Sequence, residues 1–451
     1  MKGDTLTPIS IFHRLKGRKK FLLESSLKHE KSGRYSFIGS DPYLEIKGTG
    51  QHTELNQTNG ETEIIQENVI DTIQKQIQTN TNQLPFPFYG GGVGYIGYDV
   101  IRQYEQIGIT PPDDLQMPDA HFHFYEKVVV MDHQLQQIYL VVMNLSNTLT
   151  EDQMENQLEQ MEVQLKTPSQ QEFNLEPVKT GTFTSNQTKQ AYEEKVKKIK
   201  GHIKQGDAFQ VVLSQRLQAE FRGDAFSFYR SLRTSNPSPY MFYLDFEDYL
   251  ILGASPESLI QVQGSEILTN PIAGTRKRGA TEQEDKELEE ELLSDEKELA
   301  EHRMLVDLGR NDVGKVSEIG SVEVTKYMTI ERYKHVMHIV SEVKGTLQQN
   351  ISSLDALVSC LPAGTVSGAP KIRAMEILND LEPSKRGAYS GAVGYINVNG
   401  DLDFALAIRT MVIKNHTAYV QAGAGVVLDS VPEKEYEETL HKARALLEVE
   451  G

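Results

Sequence analysis

The stretch DFALAIRTMVIKNHTAYVQAGAGVV, residues 403–427, decides the fold class. Its β-branched and apolar residues run up to Asn415 and resume beyond it, the pattern of two strands joined by a hairpin. The same pattern recurs earlier: residues 36–48, SFIGSDPYLEIKG, read as strands joined by turns, and residues 124–143 read as a hairpin around Asp132 and His133. Helical signals are grouped between these strands. Met154, Leu158, Met161 and Leu165 recur at helical spacing within 150–166, residues 188–206 form a basic-acidic helix ended by Gly206, and a final helix starts at Pro432. Strands linked by hairpins, with helices grouped between them, predict an α+β fold rather than a doubly wound parallel sheet.

A chain of 451 residues suits two domains or one large composite. The polar, proline-punctuated segment near 167–182 is the expected linker, dividing an N-terminal region, 1–166, from a C-terminal domain, 183–451. With 46 Lys plus Arg against 64 Asp plus Glu, the formal charge of −18 argues against nucleic-acid or anionic-membrane binding, since both need a cationic field. No apolar run reaches the roughly 18 residues of a membrane span, and the opening MKGDTLTPIS lacks a signal-peptide core, so a soluble cytoplasmic protein is expected. The single cysteine, Cys360, leaves no disulfide framework and no thiolate metal site. The chain contains no tryptophan.

Two segments echo each other, GGVGYIGYD at 91–99 and GAVGYINVN at 391–399. The first contains the spacing GxGxxG, but Pro85 and Pro87 precede it and β-formers fill the spacer, so close approach between strands is the expected role of these glycines.

Chemistry concentrates in a few places. In DEKELAEHRMLVDLGRND, 295–312, Glu298 and Glu301 stand one helical turn apart on a stripe continued by Leu305 and Leu308. Asp295 with Glu298 also fits a capping box, so two readings stand for Glu298. In the last helix Glu435 and Glu438 form a second such pair. Carboxylates without histidine or cysteine partners suit a hard cation such as Mg²⁺, although acidic helix starts are common without one. Thr365, Ser367 and Gly368 precede a helix starting near Pro370, which either receives an anion or is simply capped. Arg409 and the backbone around Gly423 and Gly425 could hold a carboxylate; a solvated strand arginine is the alternative. His338 is expected on a helix among Val336, Met337, Ile339 and Val340, either as a satisfied interior histidine or as a proton carrier. Glu257, after a proline turn, is either a solvated turn residue or a carboxyl kept protonated by apolar surroundings.

The blocks QVVLSQ, SPES, PIAGTRKRG, AEHRMLVDLGRND, YMTIERYKHVMHIVSEV, LPAGTVSGAPK, AVGYI, AIRT, QAGAGVV and EYEET occur in this order between about 183 and 445, and together they resemble the chorismate-utilising enzymes. The resemblance implies antiparallel sheets packed as a sandwich flanked by helices, and a Mg²⁺-dependent enzyme acting on chorismate. It implies Glu301 and Glu438 as metal ligands with Glu298 and Glu435 nearby, and Glu257 as the acid for the departing 4-hydroxyl. It further implies Tyr395, Arg409 and the backbone of Gly423, Ala424 and Gly425 as binders of the enolpyruvyl carboxylate, with Thr365 and Lys371 as lining groups. Three positions discriminate within the family. Water-adding members carry a lysine where this chain has Gln210, and members aminating at C4 carry a nucleophilic lysine where it has Ala273. His338 matches the histidine that the anthranilate branch uses in eliminating pyruvate. The implied reaction is therefore attack of ammonia at C2, followed by loss of pyruvate to give anthranilate, the first committed step of tryptophan biosynthesis. Lys277 departs from the family, standing where many relatives have proline.

LLES, 22–25, and NPSPYM, 236–241, resemble the two halves of the tryptophan feedback site of that branch, which implies Glu24, Ser25, Asn236, Pro239, Tyr240 and Met241 as contacts for L-tryptophan. Cys360 lies in SCLPAG rather than in a nucleophile elbow, so the resemblance implies ammonia from a separate glutamine amidotransferase subunit and hence a hetero-oligomer.

Overall fold

The structure is a computed structural model that describes residues 1–25, 33–58, 60–77, 83–169, 177–332 and 336–449. Two large antiparallel sheets form the fold. In the first, the Gln210–Arg222 strand pairs with Thr417–Val426, and the sheet continues through Thr410–Lys414, Tyr249–Ser255, Tyr240–Asp245, Phe21–Glu24, Tyr35–Gly39 and Lys127–Asp132 to Gln137–Val142. The second runs from Ile272–Lys277 through Val336–Thr346, Glu266–Thr269, Ser258–Gln263, Leu402–Leu406, Ala392–Asn397, Gly91–Ile96, Ala120–Tyr125 and Leu44–Thr49 to the outer strands His52–Gln57 and Thr62–Gln66. Each sheet thus takes strands from both sides of the expected linker, of which residues 170–176 lie outside the described residues.

Alternation explains how the sheets pack. Phe37, Val128, Val130, Phe242 and Ile251 of the first sheet meet Val93, Tyr95, Val393 and Tyr395 of the second in one apolar layer, as expected of a sandwich. The outer face of the first sheet is covered by Pro8–Arg14, Glu151–Lys166, Ala225–Ser235 and Pro432–Leu447, and that of the second by Glu296–Gly314 and Ser353–Cys360. The α+β sandwich flanked by helices is therefore present. No described helix is long and apolar enough to cross a membrane.

The hairpin in the opening stretch turns at Asn415 and His416, both with positive φ (50° and 57°), which matches the right-handed twist of its strands. The two echoing segments are neighbours: Gly91–Ile96 pairs with Ala392–Asn397, and Gly94 lies opposite Gly394. A Cβ on Gly94 would stand 2.1 Å from the His121 carbonyl oxygen, so these glycines do serve close packing.

One local expectation fails. His338 lies on the Val336–Thr346 strand, not on a helix. Met337, Ile339 and Val343 are buried while His338, Glu342 and Lys344 are less so, a period of two that a helix would not bury on one side.

Candidate active site

A cavity of about 430 Å³ opens where the two sheets exchange strands. Pro256 and Glu257 form the crossover between Tyr249–Ser255 of the first sheet and Ser258–Gln263 of the second, which carries the Glu257 carboxyl into the cavity wall. Thr365, in the short Gly364–Ser367 helix, donates its hydroxyl to Glu257 Oε2 across 3.2 Å. Burial raises the pKa of Glu257, against the opposing influence of Thr365, Lys442 and Arg409. The carboxyl thus holds its proton to higher pH than a solvated glutamate.

His338 faces the same cavity, directly opposite Thr275 in the strand register. Its Nδ1 lies 3.1 Å from the Gly274 carbonyl oxygen and 3.0 Å from the Thr275 hydroxyl. A carbonyl only accepts, so the neutral ring carries its proton on Nδ1 and its lone pair on Nε2. Burial lowers the pKa of His338, which keeps the ring neutral and basic.

Arg409 sits at a left-handed turn (φ 47°) between Leu402–Leu406 and Thr410–Lys414, with its guanidinium on the cavity. Burial lowers its pKa although Glu257 raises it, and an arginine so placed stays charged. Among the described residues no carboxylate forms an ion pair with it, so the cavity contains a cation prepared for an anionic guest.

Gly423 lines the cavity beside Tyr389, whose hydroxyl would be 2.8 Å from a Cβ at that position. Lys442 donates to the Gly423 carbonyl oxygen across 3.0 Å and pairs with Glu438 at 2.7 Å. Gly425 gives room to Gln210, whose Nε2 donates to Glu301 Oε1 across 3.0 Å and would be 2.7 Å from a Gly425 Cβ. Ala424 is fully buried on the same strand and its side chain lies away from the cavity.

Two expected lining groups lie elsewhere. Tyr395 is buried between the sheets, its ring 4.9 Å from Phe88 and 5.7 Å from Phe37, and it does not line the cavity. Its strand alternates, so Tyr395 falls on the interior face with Val393; Tyr389, in the preceding loop, supplies the cavity hydroxyl. Lys371 is withdrawn into a buried ion pair, its Nζ 2.6 Å from Asp312 Oδ2, because an interior ammonium needs a counter-charge.

Residues that the sequence left unmarked also shape the site: Lys442 lines the cavity and Arg386 stands behind it. Lys442 stands one turn beyond Glu438, a spacing that could have flagged it. Arg386 gave no local signal, yet its guanidinium donates to the carbonyl oxygens of Val366 (2.7 Å) and Val212 (2.8 Å), pairs with Glu382 and stacks 5.5 Å from the Tyr389 ring. It therefore ties the Thr365 helix, the 210–222 strand and Tyr389 together.

The four carboxylates expected at a metal are each engaged with protein groups: Glu301 with Gln210, Glu298 with Arg276 at 3.4 Å, Glu438 with Lys442 and Glu435 with Ser430. Burial raises Glu298, with Glu301 adding to the effect, and burial raises Glu435, with Glu438 adding likewise. Each pair is crowded and partly buried, the kind of donor a hard divalent cation takes, but among the described residues no three of these four carboxylates bring oxygens within 4.8 Å of one another.

Of the residues expected to hold tryptophan, Glu24 and Met241 are neighbours across one strand pair, whereas the Tyr240 side chain turns the opposite way, to the second sheet. Glu24 lies opposite Met241 in the register of Phe21–Glu24 against Tyr240–Asp245. Glu24 Oε1 accepts from the Tyr229 hydroxyl and from Arg233 Nε, and the buried Ser25 hydroxyl has no hydrogen-bond partner among the described residues. Asn236 donates to the Ala445 carbonyl oxygen, and the Tyr240 hydroxyl donates to Asp403. Asn236 and Pro239 also line the 430 Å³ cavity, so the two regions share a wall.

Comparison with known proteins agrees with this geometry. Residues 19–448 match the family described as chorismate binding enzyme. The chain is 46% identical to anthranilate synthase component 1 of Lactococcus lactis over 100% of this chain and 98% of that protein. It is 48% identical to anthranilate synthase component 1 of Aquifex aeolicus over 98% of this chain and 92% of that protein. The crystal structure of anthranilate synthase component I from Streptococcus pneumoniae superposes with a TM-score of 0.86 at 44% identity, covering 99% of this chain and 98% of that one. The isochorismate synthase MenF of Escherichia coli shares the fold alone, with a TM-score of 0.74 at 17% identity over 99% of this chain and 92% of that one. The chain belongs to the chorismate binding enzymes, and within them to the anthranilate synthase component 1 group.

Proposed function

We propose that this chorismate-utilising lyase converts chorismate and ammonia to anthranilate in the 430 Å³ cavity, as the entry step of tryptophan synthesis in the cytoplasm. The observation that carries the reading is the convergence on one cavity of a carboxyl with a raised pKa, a neutral histidine and an unpaired arginine.

Arg409 and the hydrogen-bonding groups near Gly423 receive the enolpyruvyl carboxylate, which fixes the ring against Glu257. Glu257 gives its proton to the 4-hydroxyl, which leaves as water while the ammonia nitrogen bonds to C2 and the ring double bonds shift. His338 Nε2 then takes the C2 proton, the bond from the enolpyruvyl oxygen to C3 breaks, and pyruvate departs as the ring becomes aromatic. Ala273 lines the cavity where an amine nucleophile would be needed for the route to C4, which supports direct attack at C2. Gln210 in place of a lysine base supports amination over addition of water.

Glu301 and Glu438, with Glu298 and Glu435 beside them, would hold Mg²⁺, which when bound neutralises the ring carboxylate of the substrate and orients it. Ammonia comes from a separate glutamine amidotransferase subunit. L-Tryptophan binds at Glu24, Ser25, Asn236, Pro239, Tyr240 and Met241 and inhibits through the wall shared with the cavity. Regulation thus centres on residues 1–166 and chemistry on 183–451, with Asn236–Met241 as the bridge.

The variant His338→Gln tests the assignment of steps. It should consume chorismate and ammonia to give the non-aromatic C2 adduct, the mass of chorismate plus ammonia less water, without releasing pyruvate. Normal pyruvate release by this variant would overturn the role of His338.

A further inference from the structure

Away from that cavity, three side chains turn potential ligand atoms on one another. His121 and His123 alternate on the Ala120–Tyr125 strand and so share a face, and Glu45, on the neighbouring Leu44–Thr49 strand, is the register partner of His123. All three are buried or nearly so, and their ligand atoms lie within 4.8 Å of one another. Glu45 Oε1 is 2.6 Å from His121 Nε2 and 3.5 Å from His123 Nε2.

The protons can be placed. The Tyr125 hydroxyl donates to the Lys19 carbonyl oxygen (2.5 Å), so its oxygen must accept from His123 Nδ1 (3.4 Å). The Tyr95 hydroxyl donates to the Pro118 carbonyl oxygen (2.8 Å), which leaves Tyr249 to donate to Tyr95 (3.1 Å) and to accept from His121 Nδ1 (2.6 Å). Both Nδ1 atoms therefore carry a proton and both Nε2 atoms point at Glu45; the 2.6 Å contact of His121 Nε2 with Glu45 Oε1 is a hydrogen bond whose proton a cation would displace. Among the described residues His123 Nε2 is buried without a hydrogen bond of good geometry, Glu45 Oε1 at 3.5 Å being its nearest acidic neighbour. A ring whose Nδ1–H is anchored and whose Nε2 is aimed at a shared centre is the arrangement seen in metal-bound histidine.

We infer that Glu45, His121 and His123 bind a zinc-class divalent cation at a structural site that shares no residue with the catalytic carboxylates. Two imidazoles and a carboxylate select a borderline transition metal over Mg²⁺. Tetrahedral ligands at about 2.0–2.1 Å from zinc stand roughly 3.3 Å apart, and the 2.6 and 3.5 Å separations bracket that spacing. A cavity of about 510 Å³, lined in part by His121, Tyr249, Glu54 and Asp113, gives an entry path and room for a water as fourth ligand. Glu45 Oε2 is occupied by Lys19 Nζ at 2.9 Å and by Asn56 Nδ2 at 3.3 Å, so the cation takes Oε1. Lys19 competes for the same carboxylate, with Glu247 at 3.8 Å as its alternative partner. Because Phe246 and Tyr249, packed against the histidine rings, belong to the first sheet's hairpin, the ion would pin one sheet to the other.

The test uses the full chain stripped of metal by chelator and titrated with Zn²⁺ by calorimetry and with Co²⁺ by visible absorption. With Mg²⁺ in excess to fill the carboxylate site, one equivalent should bind, with the d–d bands of imidazole-ligated Co²⁺ and a higher Tm in Zn²⁺. His123→Asn should weaken binding about 10–100-fold, whereas Glu301→Gln and Glu438→Gln should leave it unchanged. Lys19→Met, which removes the competing ammonium, should tighten it, and this keeps the test decisive if His123→Asn does not fold. No stoichiometric binding, loss of binding in the Glu301 or Glu438 variants, or unchanged or weaker affinity in Lys19→Met would overturn the inference.

Discussion

Thr365 donates its hydroxyl to the Glu257 carboxyl across 3.2 Å, and this contact holds the buried acid toward the catalytic cavity. Glu257→Gln keeps the shape and removes the proton; general acid catalysis contributes about 10²–10⁴-fold, so kcat should fall by that order with the circular dichroism spectrum unchanged. Thr365→Val should lower kcat less.

The pH dependence follows from the same pair of shifts. The proposed mechanism needs Glu257 protonated and His338 neutral, so activity should fall as pH rises through the raised pKa of Glu257 and as pH drops through the lowered pKa of His338. Stability shows the opposite face of this arrangement. A carboxyl whose folded pKa lies above its unfolded value binds more protons in the native state, so stability declines as pH rises from the ordinary glutamate range through the raised value. Glu257→Gln should therefore raise Tm at neutral pH and lose that advantage in acid, as thermal scans across pH would reveal.

Tyrosine substitution separates cavity from core. Tyr389→Phe removes a hydroxyl beside Gly423 and should reduce kcat/KM, by about tenfold if one substrate hydrogen bond is lost. Tyr395→Phe should leave the kinetics unaltered, because that ring packs between the sheets. Equal losses in both would place the substrate differently.

Breaking the buried Lys371–Asp312 pair should act on stability rather than on substrate binding. Lys371→Met leaves the buried Asp312 with only the exposed Lys315 ammonium at 3.6 Å and should cost about 3 kcal/mol in denaturant unfolding, with KM unchanged for the folded fraction.

At the regulatory end, Ser25→Leu should raise the tryptophan concentration for half-inhibition by about tenfold or more while activity without tryptophan persists. Its basis is the register that sets Glu24 against Met241 and the orphaned Ser25 hydroxyl beside them. Inhibition curves for the two proteins would decide it.

Much of this architecture could be read from pattern. The turn at Asn415, the helix behind Asp295 and the packing role of the paired glycines each rest on local rules, and each is present. His338 reads as helical from sequence because a short apolar run looks alike in both periods, and only its partner strands decide between them. Tyr395 and Lys371 were misplaced because a tyrosine or lysine near a motif does not reveal which way it points; Val393 beside Tyr395 and Asp312 opposite Lys371 settle that. Arg386 and the Glu45–His121–His123 cluster were invisible because their partners are distant in sequence and meet only once the sheets form.

The most direct test of the central claim is product analysis of the purified chain given chorismate, Mg²⁺ and ammonium at mildly alkaline pH, followed by chromatography with fluorescence detection. The account predicts anthranilate, the ortho-amino product, with pyruvate released alongside it. A para-amino product, or unchanged chorismate, would contradict it.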